Sequence, residues 1–153
     1  MVKKIGVVTS TRADYGLLKN LLIKIQKDRY LKLFLFVTGT HLSKKYGLTI
    51  DEIKKDNLII FSKVKTLDIE NNPYGISKTM SNTIKNFGKV FQKTKIDLLI
   101  VLGDRYEILC IAIVANMFNI PIAHIHGGEI TFGSLDDRFR HCITKLSDFH
   151  FTS

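Results

Sequence analysis

Apolar residues along the chain follow two alternating spacings, which predict the order of strands and helices. Short, nearly continuous apolar runs are typical of strands buried on both faces of a sheet. Between these runs, apolar residues recur every three or four positions, as Leu18, Leu22 and Ile25 do, and this spacing forms one helix face. The predicted strands are residues 4–10, 31–37, 58–64, 98–102, 121–125 and 149–152. The predicted helices are residues 13–28, 49–55, 76–94, 106–118 and 135–146.

This alternation predicts a parallel sheet, because two neighbouring parallel strands are joined by a right-handed crossover. The predicted fold class is α/β, with a doubly wound, Rossmann-like parallel sheet and helices on both faces. Its expected strand order is 3-2-1-4-5-6, and such sheets bind ligands at the carboxyl ends of their strands, at the switch point. The first and fourth strands are neighbours there, so the turns around Arg12 and Asp104 should face one another.

Size and composition fit a single globular unit. At 153 residues the chain has the length of about one domain. It contains no apolar run that could cross a bilayer, and its first residues enter a strand instead of forming a signal peptide. Cys110 and Cys142 lie in apolar helical stretches without the spacing of metal ligands, so both are expected to be buried, reduced thiols. These features predict a cytoplasmic protein without a membrane partner.

The formal net charge of +9 raises the hypothesis of a nucleic-acid partner, which the distribution of charge argues against. The lysines are scattered, without a compact stripe or an interleaved aromatic platform. The arginines instead accompany the polar motifs of the chain: Arg12, Arg105, Arg138 and Arg140. We therefore expect no nucleic-acid partner and a small anionic ligand, such as a nucleotide diphosphate.

The turn after the first strand, TSTRADYG, lacks the Gly-x-Gly-x-x-Gly loop that lets a backbone approach a dinucleotide pyrophosphate. It offers Arg12 at a helix N-terminus, where unpaired N–H groups already favour an anion. Arg12 is interpreted as a phosphate or diphosphate ligand, and the alternative is an ordinary surface arginine. Asp14 is a candidate for contact with a sugar hydroxyl, although capping a helix is the commoner role of such an aspartate.

The turn after the fourth strand places Gly103, Asp104 and Arg105 before a helix. An aspartate at the end of a strand can act as a general base or hold a substrate hydroxyl, and it can also cap the helix that follows. These roles of Asp104 do not exclude each other. Glu107, in the first helical turn, is interpreted as a residue that complements the helix dipole.

Two histidines and a glutamate gather at the end of the fifth strand, in the sequence HIHGGE that runs from His124 to Glu129. Because His124 and His126 are two residues apart, an extended strand would project both to the same side. Histidine and carboxylate are metal ligands, but no further Cys or His completes a metal pattern, so we expect no metal ion. Proton transfer is favoured, since burial and neighbouring charges can separate the pKa values of such groups.

A fourth charged segment opens the helix predicted at residues 135–146. Asp136 and Arg140, and likewise Asp137 and His141, are four residues apart and can pair on a helix surface. Taken alone, this pattern describes a solvated helix start. Beside the histidines and the glutamate of the preceding segment, these residues become candidates for the wall of a pocket.

Taken in order, the motifs resemble those of the hydrolysing UDP-N-acetylglucosamine 2-epimerases. The resemblance covers nearly the whole chain and rests on the set: TRADYG (11–16), GTHL (39–42), GDR (103–105), HIHGGE (124–129) and DRFRHCITKL (137–146). It implies one half of a two-domain, glycosyltransferase-B-like fold, with the active site in the cleft between two Rossmann-like domains. It also implies conversion of UDP-N-acetylglucosamine and water to N-acetylmannosamine and UDP, on the route to sialic acids. Relatives act on bacillosamine-type sugar nucleotides toward legionaminic acid.

The mechanism implied by this resemblance removes the sugar C2 proton with anti elimination of UDP, and water then adds to the resulting 2-acetamidoglucal. By resemblance, Asp104 is catalytic and Asp136 or Asp137 serves the sugar. Many members carry a glutamate where this chain has His126, so either His126 or nearby Glu129 takes its proton-transfer role. Arg12 and Arg105 are expected at the diphosphate, and the other expected substrate contacts are Asp14, His41, His124, Arg140 and His141.

The resemblance further implies that residues 1–153 are an N-terminal domain whose C-terminal domain is absent, so that the chain alone is inactive or nearly so. We expect a UDP-sugar substrate, no cofactor, and the second domain as a partner; a homo-oligomer is compatible with this view. The rival classes are a standalone nucleotide- or sugar-binding domain, a non-hydrolysing epimerase and, less well matched, a response-regulator-like module. The choice between UDP and GDP, and the identity of the amino sugar, are expected to depend on recognition outside this chain.

Overall fold

The structure is a computed structural model and describes residues 1–70, 72–129 and 135–152. Its sheet is parallel and has six strands in the order β3-β2-β1-β4-β5-β6. The strands are β1 (Lys3–Thr9), β2 (Leu31–Val37), β3 (Ile60–Lys63), β4 (Leu98–Leu102), β5 (Ile122–Ile125) and β6 (Phe149–Phe151). The α-helices are α1 (Arg12–Lys27), α2 (Ile50–Lys55), α3 (Pro73–Lys93), α4 (Tyr106–Met117) and α5 (Leu135–Leu146). Two 3₁₀ turns, Gly39–Leu42 and Lys44–Tyr46, follow β2.

The predicted fold class and strand order are confirmed, and most predicted boundaries lie within three residues of the observed ones. The largest shift at a helix start is in α3, which was predicted from residue 76 and begins at Pro73. Asn72 caps this helix by accepting a hydrogen bond from the Gly75 N–H at 2.8 Å. Proline is suited to the first helical position because it has no N–H to leave unpaired. The cap therefore lengthens the helix beyond its apolar stripe.

The strands β1, β2, β4 and β5 supply both faces of the core, because successive side chains of a strand point to opposite sides. One hydrophobic cluster includes Val8, Phe36 and Leu99 and packs against the helices α3, α4 and α5. The other includes Val7 and Leu35 and packs against the helices α1 and α2. This double burial explains why the central strands read as continuous apolar runs.

Parallel strands end at a common edge, and here that edge collects the segments that follow β1, β2, β4 and β5. These segments are residues 10–14, 38–41, 103–105 and 126–129. The fold thus brings together motifs that are far apart in the chain. Within the described ranges, no helix has both the length and the apolar character needed to cross a membrane.

Candidate active site

Asp14 closes the turn after β1. It occupies the third position of α1 and forms a reciprocal capping box with Thr11, which is the N-cap. Its carboxylate also accepts hydrogen bonds from the Ser10 N–H and the Ser10 hydroxyl, both at 2.9 Å, and from the Thr9 hydroxyl at 2.5 Å. Burial acts to raise the pKa of Asp14, but hydrogen bonds from His41, Thr9 and Ser10 lower it below its ordinary value. Asp14 is therefore an ionised, buried anchor of this turn.

His41 joins this anchor to the turn after β2. Its side chain is completely buried, with Nε2 at 2.9 Å from the Thr9 hydroxyl and Nδ1 at 2.7 Å from the Thr49 hydroxyl. Because the Thr9 hydroxyl donates to Asp14, its oxygen accepts from the N–H at Nε2 of His41. Gly39 makes the close approach possible, since its φ is +58° and a Cβ there would lie 2.6 Å from the Ser10 carbonyl oxygen. The predicted contacts Asp14 and His41 thus form one buried network.

Arg12 lies at the outer side of the first turn. Its side chain is 75% exposed, and its Nε lies 3.1 Å from Oε1 of Glu52 in α2. The strands β1 and β4 are neighbours as predicted, so the backbone turns that follow them are adjacent. Among the described residues, however, no ion pair or hydrogen bond joins Arg12 to Asp104. The two turns are therefore neighbours, as predicted, without a direct contact of this kind between the two side chains.

Arg140 of α5 gathers carboxylates from three segments. Its guanidinium is nearly buried and contacts the Asp104 carboxylate through Nη2. Its Nη1 lies 3.7 Å from Glu129 Oε2 and 4.0 Å from Asp137 Oδ1. The prediction paired Arg140 with Asp136, whereas these described ion pairs join it to the other three acids. We call Asp104, Glu129, Asp137 and Arg140 the acidic cluster.

Two imidazoles extend the acidic cluster. Nδ1 of His126 lies 3.3 Å from Glu129 Oε1, and Nε2 of His141 lies 3.4 Å from Asp137 Oδ2. The predicted pairing of Asp137 with His141 on one helix face is therefore confirmed. His126 has a left-handed backbone with φ of +60°, a conformation that non-glycine residues adopt rarely and mostly at constrained sites. The described part of the site thus contains two carboxylate–imidazole pairs around one arginine.

His124 does not accompany His126. β5 ends at Ile125, so the expectation that both histidines project to the same side of an extended strand is wrong. His124 is completely buried, with Nε2 at 2.7 Å from the Gly103 carbonyl oxygen and Nδ1 at 3.2 Å from the Thr144 hydroxyl. Burial lowers the pKa of His124, so the ring is neutral and donates from Nε2 to Gly103. Its observed contacts fix the turn that carries Asp104.

The start of α4 also differs from expectation. Its N-cap is Arg105, without a side-chain capping bond, so Asp104 is not the cap of this helix. Arg105 donates from Nε to Oε1 of Glu107 at 2.9 Å, and its Nη2 lies 2.8 Å from the same oxygen. Glu107 was predicted to complement the helix dipole; it does lie in the first turn, but its side chain is completely buried beside Arg105. The sequence did contain a signal for this burial, namely an acidic residue at the start of a helix that is otherwise strongly apolar.

A crevice beside Arg105 was missed by the sequence reasoning. Its inner part is a cavity of about 180 Å³ whose lining includes Thr40, Asp68, Arg105 and Tyr106. An outer part of about 320 Å³ shares Asp68 and adds three lysines, Lys44, Lys45 and Lys65. The three lysines, Thr40 and Asp68 come from the 3₁₀ turns and from the loop after β3. These segments have no periodic spacing of apolar residues, so the sequence did not indicate the crevice. The crevice is basic at its outer end and meets a fixed guanidinium at its inner end.

The prediction for Cys142 is wrong. Cys142 was expected to be buried, but it is exposed, because the neighbouring Ile143 takes the core-facing position on α5. Asp136 lies exposed at the start of the same helix. In the described ranges, no group of three or more histidines, cysteines and acids is arranged to hold a metal ion.

The fold and the acidic cluster together define a doubly wound α/β domain with a charged, imidazole-containing site at the carboxyl edge of its sheet. This site has groups for proton transfer next to groups that bind anions. The chain belongs to the UDP-N-acetylglucosamine 2-epimerase family, since the sequence profile of that family matches residues 23–153.

Individual relatives support the same assignment. A Campylobacter jejuni protein named GDP/UDP-N,N'-diacetylbacillosamine 2-epimerase (hydrolyzing) is 42% identical over 99% of this chain and 39% of its own length. An Escherichia coli protein named polysialic acid biosynthesis protein P7 is 44% identical over 99% of this chain and 39% of its own length. A Legionella pneumophila UDP-N,N'-diacetylbacillosamine 2-epimerase (hydrolyzing) is 40% identical over the whole chain and 40% of its own length. The chain thus spans about two-fifths of the length of these relatives.

Solved structures match the fold. The UDP-GlcNAc 2-epimerase of Neisseria meningitidis, solved with UDP-GlcNAc, superposes with a TM-score of 0.84 at 19% identity, over 97% of this chain and 39% of that one. The S. aureus MnaA–UDP structure gives a TM-score of 0.82 at 21% identity, over 99% of this chain and 39% of that one. These matches confirm that the chain has the fold of one half of a two-domain, glycosyltransferase-B-like protein.

Proposed function

We propose that the chain carries the proton-transfer half of the active site of a hydrolysing nucleotide-sugar 2-epimerase. The single observation that supports this most is the acidic cluster, in which two carboxylate–imidazole pairs flank Asp104 and Arg140. Such a reaction needs one group that removes a carbon-bound proton and another that assists the later addition of water. The names of the C. jejuni and L. pneumophila relatives support the hydrolysing type.

In the proposed reaction, a base takes the C2 proton of the sugar while the C1–O bond to UDP breaks. The C2–H electron pair becomes the C1–C2 double bond of a 2-acetamidoglucal, and UDP leaves with the bonding pair of the C1–O bond. Water then adds across this double bond: its oxygen goes to C1, and a proton goes to C2 on the opposite face. The free sugar therefore has inverted C2, and no external oxidant or cofactor is needed.

We assign the first proton transfer to the pair of Glu129 and His126. Their contact at 3.3 Å lets the carboxylate share a proton with the imidazole, and the strained backbone of His126 supports a role at this position. Asp137 and His141 form the second pair and serve the sugar and the returning proton, with Asp136 next to them in the chain. Asp104 is held by Arg140 and is assigned to the reacting part of the sugar.

The positive groups are assigned to the leaving diphosphate. Arg12 is accessible at the start of α1, where the helix dipole also favours an anion. Arg105 presents a second guanidinium at the crevice. The uridine and most of the diphosphate are assigned to a second α/β domain, which completes the cleft in the whole protein. The two cysteines are free thiols, as in proteins of a reducing cytoplasm, where we propose that the protein works.

The substrate is proposed to be a UDP-linked 2-acetamido sugar. UDP-N-acetylglucosamine and UDP-N,N'-diacetylbacillosamine both have the C2 proton and the diphosphate leaving group that the mechanism requires. The diacetyl sugar is named for two relatives, at 42% and 40% identity, and the protein named for N-acetylglucosamine is 38% identical. A direct comparison of the two substrates decides between them.

The test is product analysis in D₂O and in H₂¹⁸O. The chain is assayed alone and joined to the C-terminal part of the C. jejuni relative, with each UDP-sugar. We expect the joined protein to release UDP and a free sugar with inverted C2, one deuterium at C2 and ¹⁸O at C1, and the chain alone to show little turnover. Asp104→Asn is expected to abolish product. An epimerised sugar still linked to UDP would identify a non-hydrolysing enzyme, and UDP binding without any product would identify a binding domain.

A further inference from the structure

Glu107 is a buried carboxylate to which the proposed reaction gives no role. It lies in the first turn of α4, where its side chain is completely buried, and the other buried residues of this helix are apolar, such as Ile108 and Ile111. Cys110 lies one turn further along the helix. Burial and the negative charge of Glu107 together raise the pKa of its thiol to about 11. An exposed acid at the same helix start would complement the dipole without the desolvation that burial requires. The dipole therefore does not explain why Glu107 is buried.

The hydrogen bonds of Glu107 are one-sided. Nε of Arg105 donates to Oε1 at 2.9 Å and Nη2 lies 2.8 Å from the same oxygen, whereas Oε2 is buried without a hydrogen-bond partner among the described residues. An ion pair formed for stability alone would divide two parallel N–H groups between the two carboxylate oxygens. Buried unpaired oxygens are rare in proteins and call for an explanation. The arrangement favours control of the guanidinium over stability.

Arg105 is held along one edge and accessible along the other. Its side chain is 40% exposed, and it lines the crevice with Thr40, Asp68 and Tyr106. Burial opposes the charge of Arg105, but the Glu107 carboxylate more than offsets this, so the pKa of Arg105 lies above its ordinary value. The guanidinium therefore stays charged and keeps one orientation. An arginine held in this way loses little side-chain freedom when it binds an anion.

We propose that Glu107 is a positioning residue, which holds the Arg105 guanidinium in one orientation at the crevice so that its accessible N–H groups meet the diphosphate of the substrate. The inference rests on the proposed function for the identity of the anion. The contact between Glu107 and Arg105 does not depend on that identity, so the two can be tested separately.

The experiment combines UDP binding with an NMR signal of the guanidinium. UDP is titrated into the protein joined to the C-terminal part of the C. jejuni relative and into its Glu107→Gln, Arg105→Ala and double variants, and the exchange of the Arg105 Nε–H with water is followed in parallel. We expect Glu107→Gln to weaken UDP binding about tenfold and to have no further effect once Arg105 is alanine. The Nε–H signal should be protected in the unsubstituted protein and lost in Glu107→Gln. Asp51→Asn, which removes the charge from an exposed acid paired with Lys54, is the matched control and should change UDP affinity less than twofold.

The outcomes distinguish the positioning role of Glu107 from the proposed binding of a nucleotide diphosphate. Equal weakening by Glu107→Gln in both Arg105 backgrounds would show a merely structural role and overturn the inference, as would unchanged UDP binding. If the unsubstituted protein binds no UDP, the proposed ligand fails, but the Nε–H signal still decides whether Glu107 holds Arg105: its persistence in Glu107→Gln overturns the inference, and its loss supports the positioning role. Should Glu107→Gln fail to fold by circular dichroism, Glu107→Asp keeps the charge but shortens the side chain, and it is expected to lose the same signal and affinity.

Discussion

Replacing Arg140 with methionine should destabilise the protein by about 2–3 kcal/mol at pH 7. Breaking a buried ion pair by removing one partner costs about 3–5 kcal/mol. The cost here is below this range because the three acids around Arg140 keep some contact with water: the side chains of Asp104, Glu129 and Asp137 are 27%, 35% and 19% exposed. Methionine preserves most of the buried stem, so the change reports mainly on charge.

The expected loss comes mainly from charge. Without the Arg140 guanidinium between them, the carboxylates of the acidic cluster repel one another. Urea unfolding followed by circular dichroism at pH 7 measures the deficit in unfolding free energy relative to the unsubstituted protein. At pH 7, a drop in Tm of about 5–10 °C corresponds to the same energy in a domain of this size.

Arg138→Met is the matched control for this experiment. Arg138 lies on the same helix but is exposed, and surface substitutions usually change stability by less than about 0.5 kcal/mol. The reasoning would be refuted if the two variants were equally stable at pH 7. That result would mean that Arg140 does not compensate the charge of the acidic cluster.

Three further predictions concern other parts of the molecule. Phe87 is completely buried, so Phe87→Ala should cost about 3–5 kcal/mol in urea unfolding, whereas Phe149→Ala, at a site 54% exposed, should cost far less. The pKa of Asp14 is lowered in the folded protein, so its stabilising effect is present above its unfolded value and is lost as the pH falls through the folded one. Asp14→Asn should therefore destabilise by about 1–3 kcal/mol at pH 7, and a deficit that did not shrink below pH 4 would contradict this. Finally, a thiol reagent should label one cysteine of the native protein, Cys142, and both after unfolding, because burial and a pKa of about 11 protect Cys110; rapid native labelling of Cys110 would contradict this burial.

The candidate site shows how a charged cluster can be both stable and reactive. Arg140 offsets part of the negative charge of three acids, and the two imidazoles lie against two of these acids, Glu129 and Asp137. The buried network of Asp14 and His41 has a structural role, since it holds the turns after β1 and β2 in place. We infer that chemistry occurs at the acidic cluster and that the Asp14 network keeps Arg12 in place at the rim.

The sequence by itself determined the order of elements and the edge of the sheet at which the site lies. The spacing of apolar residues is a local property, so strands 31–37 and 98–102 and helix 135–146 could be predicted to the residue. Which motifs share an edge follows from the handedness of crossovers alone. The membership of Asp104, Glu129, Asp137 and His141 in a single site could therefore be anticipated.

Only the tertiary structure decided which side chains meet. Arg140 could pair with acids of its own helix or with acids from other segments, and the packing of α5 brings it to Asp104 and Glu129 as well as to Asp137. The end of β5 at Ile125 separated His124 from His126, a boundary set by strand pairing with β4 and β6. The burial of Glu107 depends on how α4 packs, which residue spacing does not reveal. The order of helices and strands follows from the spacing of apolar residues along the chain, which is a local property and can be read from the sequence. The partners of a side chain depend on how distant segments pack, so only the tertiary structure determines them.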